Sequence, residues 1–166
     1  MLDLTSFGYL ASGRILQLEA CLGSSSVVMI SQSTATVAPD APIVSLAVRR
    51  LGMRSGLIAN DVGNDREGND LIRLMKRDDI QTEIEARDSL VTPQMFDICD
   101  PNGERRLLTF LPGVGEQLLT ADLKLVDRSR LAYVDLYTEI DKASIRAIDY
   151  AIRKRVPPFV NLSHDN

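Results

Sequence analysis

Few residues of this chain have a type and spacing that could do chemistry unaided. The one histidine, His164, stands beside Asp165. An imidazole next to a carboxylate can move protons, yet adjacent residues at a chain end read as solvated rather than as an acid/base pair. No Ser/His/Asp set can be argued, since nothing fixes the distance of this one His from a Ser, and no ligand spacing for a metal exists. Cys21 and Cys99 lack a CxxC arrangement, so reduced thiols are expected. Gly63-Asn64-Asp65-Arg66-Glu67-Gly68 is a Gly-containing turn ahead of a helical stretch. Alone it is weak evidence for a phosphate cradle, and Asp65 reads first as the cap of a helix starting near Arg66. Asp78-Asp79 reads as surface charge. Arg105 and Arg106 are the best candidates for ligand contact; the competing reading is charge on a strand surface.

The elements that must position these residues alternate in type. Leu2–Leu10 and Arg14–Ala20 read as strands, and the polar, β-branched stretch Ser31–Ala38 as a strand or a loop. The period then changes. Ile43, Ala47 and Leu51 stack at spacing four, with Val44 and Val48 beside them, which predicts a helix with that face buried. Asp40 is its expected N-cap, Pro42 fits its first turn and Gly52 is its stop. Ser55–Ala59 reads as a buried strand, and residues 66–77 as a helix burying Leu71, Ile72, Leu74 and Met75. Three extended pieces follow, at Gln81–Ala86, Thr92–Cys99 and Arg105–Leu111. The last two are joined by the turn Asp100-Pro101-Asn102-Gly103. After a loop, Leu131–Leu136 reads as a strand, Asp141–Arg155 as an amphipathic helix and Pro158–Leu162 as a strand. Strands alternating with helices of this length predict a mainly parallel sheet with helices on its faces.

Composition narrows the function classes. The 166 residues are 45% hydrophobic and 25% charged, as in an ordinary globular protein, and the net charge is −4. That balance argues against a nucleic-acid partner, which needs a basic face. The run Arg153-Lys154-Arg155 complements the carbonyl end of a helix instead. No stretch approaches the roughly 20 apolar residues of a membrane span. The N-terminus carries no basic n-region, so a cytoplasmic location is expected.

From Ala41 to Asn161 the order of features resembles the N-terminal part of the ribokinase-like (PfkB) carbohydrate and nucleoside kinases. The run at 47–52, Ala-Val-Arg-Arg-Leu-Gly, is similar to the end of the family's first long helix. Gly63, Asp65 and Gly68 match its Gly-x-Asp-x-x-Gly. The segment Asn102-Gly103-Glu104-Arg105-Arg106, followed by Phe110-Leu111-Pro112-Gly113, is similar to its lid hairpin and exit. Asn161 falls where the family has Asp or Asn at a strand end. The resemblance implies an α/β fold, a mainly parallel sheet flanked by helices with a small β lid, its C-terminal half absent. Residues 1–166 would form a single partial domain, with lid strands drawn from about 14–38 and 81–111. It also implies ATP-dependent phosphorylation of a sugar hydroxyl, with ATP and Mg in a complete member, and tentative substrate-binding positions at Gly8, Gly13, Arg105, Arg106 and Asn161.

The departures fall on the same site. In the family's Gly-x-x-x-x-Asp, Gly8 is kept and the sugar-binding Asp is replaced by Gly13. In its Gly-Gly-x-x-x-Asn, the positions hold Ala38, Pro39 and Ile43. The Gly-Ala-Gly-Asp that supplies the anion hole and catalytic base is not in this sequence. The chain alone is therefore expected to bind no cofactor and to be inactive. A second copy or a C-terminal half-kinase is the expected partner, covering the sheet beyond residues 158–162. The alternative is a non-catalytic, degenerate kinase-like assembly module; an unrelated small α/β binding domain is a weaker third reading.

Overall fold

Strand β1 (Leu4–Phe7) is buried along its whole length and is the centre of the fold. A computed structural model, describing residues 1–23 and 26–162, sets β4 (Ser55–Ile58) on one side of it and β9 (Ala132–Leu136) on the other, with β10 (Pro158–Leu162) outermost. All pairings in this sheet are parallel. Its strands are too short to be covered by loops alone, and helices close both faces, as parallel sheets require. Side chains alternate along β1: Leu4 points into a core under helices α1 (Asp40–Arg50) and α2 (Arg66–Arg77), and Phe7 into a core under α3 (Val114–Thr120), α4 (Lys124–Asp127) and α5 (Asp141–Arg153). Helix α5 buries only small residues, Ala143, Ser144, Ala147 and Ala151, so its axis lies close to β9. The Ser144 hydroxyl donates to the Asp135 carbonyl at 2.6 Å.

A second sheet, in the order β3 (Ile30–Ala38), β2 (Ala11–Leu18), β7 (Gln94–Cys99), β8 (Arg105–Phe110), grows out of the carboxyl ends of the first. Its outer pairs are antiparallel and its central pair, β2 with β7, is parallel. The turn before β8 has Gly103 at φ 84°, the left-handed region that favours glycine. Of the extended stretch expected at Gln81–Ala86, only the last residue falls in a strand. Here β6 (Ala86–Arg87) pairs with β5 (Val62–Gly63), and Gln81 bridges to Gly56. Helices α3 and α4, in what reads as a loop, carry too short a period to be seen in sequence.

Helix α1 departs from expectation in two ways. It buries Ala41, Pro42, Ser45, Leu46 and Val48, whereas Ile43, Ala47 and Leu51 are exposed. The face is rotated because Ser45 can lie against β4: its hydroxyl donates to the Gly56 carbonyl at 3.1 Å, so a polar residue is satisfied in the core. Nor does Asp40 cap the helix. The Ala41 N–H instead donates to Asp135 Oδ2 at 2.8 Å, from a strand on the sheet below. The C-terminus does end at Gly52, with φ 82°. The Gly52 N–H bonds the Arg49 carbonyl and the Met53 N–H the Val48 carbonyl, the Schellman pattern. Neither Cys21 nor Cys99 is in a disulfide, and the Cys21 sulfur accepts from the Asn102 amide at 3.0 Å. His164 and Asp165 lie outside the described residues. No helix among the described residues is long and apolar enough to cross a membrane.

Candidate ligand cleft

The carboxyl ends of β1, β9 and β10 converge below the overhanging second sheet. Between them lies a cleft of about 530 Å³, walled by the inner face of β2, β7 and β8 and by the N-terminus of α1. Open parallel sheets bind ligands at this end of their strands.

Its floor is a cluster of polar side chains drawn from three elements. The Asn161 amide donates to Asp40 Oδ2 at 2.9 Å and to Asp135 Oδ1 at 3.1 Å, and lies 3.3 Å from the Tyr137 hydroxyl. An amide has two N–H groups for these three oxygens. The Tyr137 hydroxyl resolves the conflict by donating its own proton to Asp40. Asp135 is fully buried. Burial pushes its carboxyl up to about 6, with the negative charge of Asp40 acting the same way. The Asn161 amide, the Ala41 N–H and the Tyr133 hydroxyl work against that rise. The Tyr137 hydroxyl is held well above its ordinary value by burial first, then by its bond to Asp40 and the charge of Asp135.

Gly8 sits directly beneath this cluster. A Cβ there would stand 2.6 Å from Asp135 Oδ2 and 2.7 Å from the Ala41 Cβ. Its place in the sequence is therefore set by the close approach of Asp135 and α1, and it is buried outside the cleft lining. Gly13 lines the cleft wall on β2, where a Cβ would meet Thr36 Cγ2 at 2.7 Å. Arg105 also lines the cleft. Its guanidinium is held by both carboxylate oxygens of Asp97 on the neighbouring strand, and this ion pair raises its pKa. Side chains alternate along β8, so Arg105, Leu107 and Thr109 face the cleft while Arg106 points to the other side of the sheet.

The Gly63–Gly68 segment is a separate construction outside the cleft lining. Asp65 caps α2, accepting from the Gly68 N–H at 2.8 Å, and also accepts from the Thr92 hydroxyl at 2.6 Å and the Thr92 N–H at 3.1 Å. Burial works to raise the Asp65 carboxyl, but these bonds outweigh it and the group sits below the usual carboxylate range. Asp65 thereby ties the start of α2 to the residue leading into β7. Removing it strips a cap and leaves the buried Thr92 hydroxyl only the Gly63 carbonyl, 3.5 Å away, as acceptor. Asp65→Ala is expected to lower the unfolding free energy by about 2–3 kcal/mol, read from the shift of the urea midpoint at unchanged slope.

Asp40, Asp135 and Tyr137 are absent from the sequence-derived candidates, although the charge inside Ala-Tyr-Val-Asp-Leu was a usable signal. An aspartate in a strand otherwise buried on both faces needs partners. Among the described residues no group of three His, Cys, Asp or Glu is placed to hold a metal. Nor does the sequence hold the Gly-Ala-Gly-Asp run from which a triphosphate cradle is expected. The residues present do not fit ATP or Mg.

A parallel sheet flanked by helices, with a second sheet standing over its carboxyl ends, is the layout of the ribokinase-like fold, and this chain has that fold. Fructokinase from Halothermothrix orenii matches it with a TM-score of 0.77 at 18% identity, over 97% of this chain and 56% of its own. Adenosine kinase from Sinorhizobium meliloti matches with a TM-score of 0.76 at 14% identity, over 96% and 56%. Arabidopsis thaliana ribokinase, complexed with ribose and ATP, matches at 0.70 and 12% identity, over 96% and 53%. The chain thus spans about half the length of these structures. No family model matches the sequence, and no curated protein matches it.

Proposed function

We propose that this chain is the substrate-side part of a PfkB-type sugar or nucleoside kinase, holding the phosphate acceptor while the transfer machinery lies outside these 166 residues. The observation that carries the reading is the cleft itself, at the carboxyl ends of a parallel sheet, with hydroxyl-binding groups on its floor. Asp40 and Tyr137, both on the lining, offer acceptor oxygens to an alcohol, and buried Asp135 sets the start of α1 against them. Phosphoryl transfer is mostly positioning and electrostatic stabilisation of the moving phosphoryl group, and no residue here serves the second task. No step is therefore assigned to ATP on this chain. The complement is the C-terminal half of such a kinase.

One observation favours a second reading, a non-catalytic assembly module. The wall positions Gly13, Ala38, Pro39 and Ile43 offer no side-chain polar group to a sugar. Calorimetric titration of the purified chain with ribose, fructose and adenosine separates the two, alongside a phosphate-transfer assay with Mg and ATP. We expect an acceptor to bind and no phosphate to move. Transfer by this chain alone, above a mock preparation, would refute the division of labour; no binding of any acceptor would favour the assembly module.

A further inference from the structure

The cleft is two-faced. Its floor is polar, but the walls above the floor are apolar. Ile15, Met95 and Leu107 project from the second sheet, and Pro39 and Ile43 line the side formed by the N-terminus of α1. Ile43 is 44% exposed and Leu107 56%, large aliphatic groups turned to solvent, the first of them from a helix face expected to be buried. The β-ladder arranges the sheet wall. Ile15, Asp97 and Leu107 lie in one cross-strand row, and Gly13, Met95 and Thr109 in the row nearer the floor. Gly13 carries no side chain, so the lower row is recessed between Thr36 and Met95. Charge on the lining comes from Asp40, Asp97 and Glu139 against Arg14 and Arg105, and Arg105 is already neutralised by Asp97. With Arg105 held by Asp97, Arg14 stands against Asp40 and Glu139, a net negative balance that disfavours a phosphate.

Resting on the substrate-side reading above, we infer that the ligand of this cleft is an uncharged nucleoside rather than a free sugar or a nucleotide. A flat heterocycle fills the slot between Ile15, Met95 and Leu107 on the sheet and Pro39 and Ile43 on α1, excluding water from apolar surface on both of its faces. The ribose hydroxyls turn to the floor, towards Asp40 and Tyr137. A bare sugar would reach the floor and leave the aliphatic slot wet, and a 5′-phosphate would meet surplus negative charge.

The test is calorimetric titration of the full chain with adenosine, ribose, fructose and AMP, repeated for Ile43→Asn and Leu107→Asn. Both positions are exposed, so folding is retained, and circular dichroism checks it. Adenosine is expected to bind at least ten-fold more tightly than ribose, fructose or AMP. Each variant should lose at least ten-fold for adenosine with ribose unchanged. Ribose or fructose binding as tightly as adenosine, or variants that leave adenosine affinity intact, would overturn the nucleoside assignment and leave the substrate-side reading standing. AMP binding as tightly as adenosine would overturn its requirement for an uncharged ligand. If none of the four binds, both readings fall together.

Discussion

Gly68→Val is expected to leave the chain unfolded at every temperature, with no cooperative transition in urea or on heating. An ideal Cβ at residue 68 stands 2.1 Å from the Gly63 carbonyl oxygen, 2.6 Å from Thr92 Oγ1 and 3.1 Å from Val62 Cγ2. The first of these is backbone and cannot rotate away. Helix α2 would have to lift off the β5 turn, and lifting it breaks the Asp65 cap and the three bonds that Asp65 makes to Gly68 and Thr92. The apolar face of α2, Leu71 and Met75, leaves the core with it. Overpacking alone costs about 1–3 kcal/mol, and the lost bonds and burial add several more. The sum is comparable with the whole stability of a domain, about 5–15 kcal/mol. Gly68→Ala carries the same clash with one carbon and should retain a transition, with its midpoint lowered. A Gly68→Val chain that melts cooperatively near the parent would show that the turn can give way at little cost.

The same motif shows what could be read from residues alone. Helix α2 begins at Arg66 and ends at Arg77, as its local signals say, because a cap and its first turn are chain neighbours and need no tertiary knowledge. The order of strands and helices was legible for the same reason. The turn at Asp100–Gly103 likewise announces the β7–β8 hairpin, since the glycine that must adopt a positive φ is written there. Legibility fails where a distant residue takes over a local task. Asp40 looks like the cap of α1, but Asp135, remote in sequence, holds the Ala41 N–H and frees Asp40 to join the cleft floor. Ile43, Ala47 and Leu51 form a sound helical stripe by spacing, yet Ser45 is buried in their stead because Gly56 offers it an acceptor. The floor gathers Asp40, Asp135, Tyr137 and Asn161: the parallel pairing of β9 with β10 sets Asn161 beside Asp135, and the docking of α1 on Asp135 brings in Asp40. Gly8 and Asn161 were visible as members of a pattern. Their neighbours were not.

Replacing Asp135 by asparagine is expected to change how stability responds to acid, and the sign follows from the direction of its shift. The carboxyl is raised from 3.8 to about 6 by burial, reinforced by the charge of Asp40 and only partly offset by its hydrogen bonds. The folded chain therefore holds a proton at Asp135 more tightly than the unfolded chain does. Its protonated form stabilises the fold, fully so below about pH 4; that contribution fades as the pH rises towards 6 and is gone above. A rise of about two pKa steps corresponds to roughly 3 kcal/mol across the window. The carboxylates of Asp3, Asp65, Asp122 and Asp127 are shifted the other way, and their contribution is lost on acidification. The parent curve is a sum of opposing slopes, so the difference between parent and variant carries the signal. Asparagine keeps an oxygen for the Ala41 N–H and has no proton to exchange. Unfolding free energies in urea at pH 4.5 and 7.5 should show the parent gaining on Asp135→Asn by about 2 kcal/mol or more at the lower pH. A difference that does not change between the two would mean that Asp135 ionises normally despite its burial. In that case the Asn161 amide and the start of α1 hold its charge as well as water does.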